Sequence, residues 1–115
     1  YKSFVLNVLP ELTRRDMGVI AMKTLSNGGF FGGSKQFKHG PNPLLVPERV
    51  SIREAVSFSW SLPISVLVTG ADDAAQMQEK IEIAETFVAL DTPGRQELVD
   101  LAADRAGAIV EFYKA

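Results

Sequence analysis

Gly18-Val19-Ile20-Ala21-Met22-Lys23-Thr24-Leu25 decides the reading of this chain, because an apolar strand runs there straight into a polar-tipped, glycine-rich loop. The run Val19 to Met22 shows no alternation, as expected of a parallel strand covered on both faces. A second strand, Ile64-Ser65-Val66-Leu67-Val68-Thr69-Gly70, repeats the arrangement and leads into a helix opened by Asp72 and Asp73. Two βα units with loops at the carboxyl ends of their strands belong to parallel α/β architecture. In α/β barrels those loops carry the ligand site.

Working outward, residues 2 to 16 read as helix, with Pro10 kinking it or starting a second segment at its first turn. Phe4, Val5, Val8 and Leu9 form an apolar stripe at helical spacing that needs a partner surface. The chain starts at Tyr1 rather than methionine, and a truncated start, a proteolytic cut or an upstream region would each explain that open stripe. Arg14 and Arg15 suit the helix carboxyl end, and Met17-Gly18 turns the chain into strand 18–22. Ser51 and Glu54 make a capping box for a helix that ends at Leu62-Pro63. Asp73 with Gln76 makes another for a helix from 73 to 86, with Met77, Ile81 and Ala84 inward and Gln78, Glu79, Glu82 and Glu85 outward. Thr92-Pro93 opens the last helix, with Leu98, Leu101 and Ala102 inward and Gly107 as its end. The order is α-β-loop-α-β-α-α, in a single domain spanning 1–115, with no internal repeat.

Composition narrows the function classes. The chain has 115 residues, 46% of them hydrophobic, and a net charge of −2, which argues against a nucleic-acid surface or an anionic-membrane anchor. It has no cysteine, so disulfides, thiolate catalysis and zinc–thiolate sites are excluded. No apolar run approaches the roughly 18 residues of a membrane span, and no signal peptide is visible, which leaves cytoplasm as the default compartment.

The 24–50 segment stands apart, holding five of nine glycines, three of six prolines, three phenylalanines and the only histidine. Gly28-Gly29-Phe30-Phe31-Gly32-Gly33-Ser34-Lys35 invites a phosphate-loop reading, but Ser34-Lys35 reverses the P-loop order and no helix follows. A flexible cover loop is the better reading. Lys23, at the end of a strand, either meets a phosphate or carboxylate or snorkels into water. Gly70-Ala71-Asp72-Asp73 opens a helix whose free N–H groups favour an anion, though the two aspartates themselves satisfy that dipole. A lone His39 makes neither a metal set nor a triad, and Trp60 reads as helix core. No metal site is expected.

Five segments in register resemble the C-terminal part of aldo/keto reductases. They are Leu9-Pro10-Glu11-Leu12; Gly18 to Leu25; Glu54-Ala55-Val56-Ser57-Phe58-Ser59-Trp60-Ser61-Leu62-Pro63; Val68-Thr69-Gly70-Ala71 with Gln76-Met77-Gln78-Glu79; and Glu111-Phe112-Tyr113-Lys114. The resemblance implies a partial (β/α)8 TIM barrel, namely its last two βα units plus the C-terminal helix, from an oxidoreductase that reduces small carbonyl substrates. It places Met22 where the family's nicotinamide-stacking aromatic sits, and Lys23 and Leu25 on the next contact positions. Gly70, Ala71, Gln76 and Glu79 match the pattern that holds the adenosine end of the cofactor.

Two positions depart from the family. Asp72 stands where many members place a basic residue for the 2′-phosphate, and a carboxylate there repels that group, leaving NADP(H) and NAD(H) both open. Lys80 replaces a common adenine-contacting asparagine. The family's catalytic Asp, Tyr, Lys and His have no counterpart in this chain, so no catalytic residue is assigned. Hydride transfer needs a proton donor to the developing alkoxide, and the isolated chain is therefore expected to be inactive. The rival expectation is a non-catalytic partial-barrel module that self-associates through unpaired strand edges, forming a homo-oligomer.

Overall fold

The computed structural model describes residues 3–25, 49–71 and 73–105. The elements in order are α1 (Phe4–Asn7), α2 (Leu9–Arg14), β1 (Ile20–Ala21), β2 (Val50–Ser51), α3 (Ile52–Trp60), β3 (Val66–Leu67), α4 (Ala74–Glu85) and α5 (Thr92–Ala102). A 3-10 turn, Ala103–Arg105, follows α5. The glycine-rich run 28–35, His39, the expected helix end at Gly107 and the 111–114 segment lie outside the described residues.

Of the two expected capping boxes, the one at Ser51 is reciprocal, while at Asp73 only the side-chain cap is seen. Ser51 Oγ accepts from the Glu54 amide at 3.2 Å while Glu54 Oε2 accepts from the Ser51 amide at 2.7 Å, the reciprocal capping box. Asp73 caps α4 by accepting from the Gln76 amide at 2.9 Å. Asp91 does the same for α5 through the Gly94 amide at 2.9 Å, with Pro93 in the first turn.

Of the two expected roles for Pro10, the structure has the second: α1 ends at Asn7 with Val8 as its cap, and Pro10 stands in the first turn of α2, where its missing amide hydrogen costs no helix bond. Of the apolar stripe only Leu9 is buried, while Phe4, Val5 and Val8 remain open. The carboxyl end of α2 is closed by a Schellman motif. The Met17 amide donates to Leu12 O at 3.0 Å and the Asp16 amide to Thr13 O at 3.1 Å, with Asp16 at φ 53°. A left-handed residue at that position suits glycine best, so Asp16→Gly is expected to raise stability by about 0.5–1 kcal/mol. Urea melts of the two proteins check this through a higher midpoint at unchanged slope.

Glu11 gathers both arginines at this helix end. Arg14 Nε and Nη2 donate to its two carboxylate oxygens at 2.8 and 2.7 Å, and Arg15 Nε donates at 2.6 Å. Arg14, and then Arg15, hold the Glu11 carboxyl below the ordinary glutamate range. A depressed folded-state value means that the contact stabilises the fold above the unfolded-state pKa and that this support is lost as pH falls through the folded value. An NMR titration of the Glu11 carboxyl carbon is expected to show its midpoint below that of an unpaired glutamate, and to return upward in Arg14→Ala.

The core forms where α3 packs on α4 and α5. Val50, Ile52, Val56 and Ile83 are its buried centre, with Leu25, Ala55, Trp60, Leu67, Leu98 and Ala102 packed around them. Val50 thus belongs to the core rather than to the preceding loop. Trp60 meets Phe87 edge to face, ring centroids 5.4 Å apart at 67°. The inward face of α4 differs from the expected one. Ile83 is buried and Gln76, Glu79 and Lys80 are half-buried, whereas Met77, Ile81 and Ala84 face out. Residues 76, 79, 80 and 83 share one helical face, and long polar side chains line it with their stems. Leu101 is likewise exposed, while Leu98 and Ala102 face inward as expected.

Side-chain clasps join these helices. Ser61 Oγ donates to Ser57 O at 2.6 Å and accepts from the Leu90 amide at 2.7 Å. Arg95 Nη1 donates to Leu90 O at 2.7 Å, fastening the start of α5 to the same corner. Arg53 reaches Thr86 Oγ1 at 2.8 Å, and Arg49 reaches Asp104 at 2.6 Å and Leu101 O at 3.2 Å, so cations sit at the carboxyl ends of α4 and α5.

Candidate functional site

β1 and β3 form a parallel pair, Ile20 opposite Val66 and Ala21 opposite Leu67. Their ladder runs through Ser65 N to Val19 O at 2.8 Å and Val68 N to Ala21 O at 2.8 Å. Ser65 Oγ adds a link by accepting from the Val19 amide at 3.0 Å. Sequence reasoning gave Ser65 no role, although a serine at a strand entrance is a ready side-chain partner for a backbone donor.

Parallel pairing in this register brings both strand ends to one side. Met22-Lys23 follows β1 and Val68-Thr69-Gly70-Ala71 follows β3, with the Val68 amide donating to Ala21 O at 2.8 Å. Met22 is 63% exposed. Lys23 is exposed and stands at φ 56°, a left-handed backbone that a lysine adopts only at some cost. Gly70 is exposed with open space where a Cβ would stand, and Ala71 is half-buried. Gln76 and Glu79 lie half-buried on the first two turns of α4, the helix that follows β3, and both have polar partners. Leu25 differs in kind, because its partly buried side chain packs against the core cluster.

The strands are not covered on both faces, contrary to expectation. Ile20 is 69% exposed, and Met22, Val66 and Val68 are also open, while Leu67 packs inward. A two-stranded pair has one face for the helices and nothing among the described residues to cover the other.

Chemically, among the described residues the edge offers one cation, an apolar thioether and exposed backbone at Gly70. The positive end of α4 is already answered by the Asp73 carboxylate, which favours the capping role for that residue. Among the described residues no cluster of three or more His, Asp or Glu side chains is placed to hold a metal. No described helix is long and apolar enough to cross a membrane. A separate shallow groove lies on α5, lined by Pro93, Gln96, Glu97, Asp100 and Leu101, none of them a candidate cofactor position.

Comparison of the chain with protein-family models, curated proteins and solved structures finds no match.

Proposed function

We propose that this chain is the C-terminal, cofactor-binding part of a nicotinamide-dependent aldo/keto-reductase-like barrel acting on small carbonyl substrates. The observation that supports the reading is the parallel β1–β3 pair, Ile20 opposite Val66 and Ala21 opposite Leu67, from whose carboxyl ends the Met22-Lys23 and Gly70-Ala71 segments follow. Met22 offers an apolar surface to a nicotinamide ring and Lys23 a charge to the pyrophosphate, while Gly70, Ala71, Gln76 and Glu79 line the path toward the adenosine end. The resemblance carries no counterpart of the family's catalytic tetrad into this chain, so binding without turnover is the expected behaviour of the chain alone.

Calorimetric titration with NADPH and with NADH, together with an aldehyde-reduction assay, tests this directly. Saturable binding of either nucleotide without turnover is the expected result. Failure of both to bind would overturn the reading, and measurable reduction would overturn the inactivity of the isolated chain.

A second reading is a non-catalytic partial-barrel module that self-associates, and the open face of Ile20, Met22, Val66 and Val68 favours it. A concentration-independent monomer mass in light scattering would count against it.

A further inference from the structure

We draw no further inference here: the strongest candidate, the exposed apolar face of the β1–β3 pair formed by Ile20, Met22, Val66 and Val68, carries nothing because nothing in the structure shows what covers it.

Discussion

Ile83→Ala is expected to destabilise the chain by about 2–5 kcal/mol, the range for deleting a branched aliphatic side chain from a packed interior. Ile83 is only 1% exposed and is the one buried residue of α4. It meets Val50, Ile52 and Val56, residues on different elements from its own, so its loss opens a cavity where α3 and α4 meet. The neighbouring inward side chains of α4 are Gln76, Glu79 and Lys80, which cannot move into that space without burying a polar head. Small domains hold about 5–15 kcal/mol in total, so the variant is expected to give up a sizeable share of its stability. Chemical denaturation followed by Trp60 fluorescence reads it, since Trp60 packs against the same cluster. Met77→Ala is the matched control on the outer face and is expected to cost well under about 1 kcal/mol. Equal losses for the two variants would refute the inward face described for α4.

Lys23 carries the second large effect, and two substitutions separate its possible roles. Lys23→Glu is expected to weaken nicotinamide-cofactor binding by about 10-fold to 100-fold or more, because a charge-assisted hydrogen bond contributes about 1.5–3 kcal/mol. Lys23→Gly removes the charge but also relieves the left-handed backbone at φ 56°. It is therefore expected to raise stability by up to about 1 kcal/mol while still weakening the cofactor. Opposite signs for stability and affinity in one variant mark a residue kept for its charge. If the glycine variant gains stability and binds NADPH and NADH undiminished, Lys23 is a strand-end lysine reaching into water and no more.

How much of this was legible beforehand follows the range of the interactions concerned. The caps at Ser51 and Asp73 act over three residues, so serine or aspartate with its partner amide announces them, whereas the Asp91 cap was not among the expected ones. Thr92-Pro93 as a helix start and the break near Pro10 are local in the same way. The inward face of α4 was not legible, because Met77, Ile81 and Ala84 make as good an apolar stripe as Ile83 does. What chooses between them is the position of α3, which no window of α4 contains. Burial of the strands failed for a related reason. An uninterrupted apolar run tells what a strand can bury, whereas the open side chains of Ile20 and Val66 reflect which neighbours exist. The site shares this division. Adjacency of the two strand ends follows from parallel pairing, while the left-handed turn at Lys23 and the inward packing of Leu25 depend on tertiary placement.

The pairing of β1 with β3 also bears on the order in which the molecule assembles. The link from Val19 to Ser65 spans 46 positions of chain. Closing a loop of that length costs roughly 3 kcal/mol of entropy before any contact repays it. Two register pairs cannot offset that by themselves, whereas α3, α4 and α5 form from near neighbours in sequence. Folding is therefore expected to run from the helical corner at Ser61 and Leu90 outward, with the strand ends docking last. What docks last also opens first, so the edge bearing Met22 and Lys23 belongs to the low-stability end of the native ensemble. A ligand bridging Lys23 and Gly70 would bind only the docked form, and its occupancy would act as the missing staple between two distant stretches of chain.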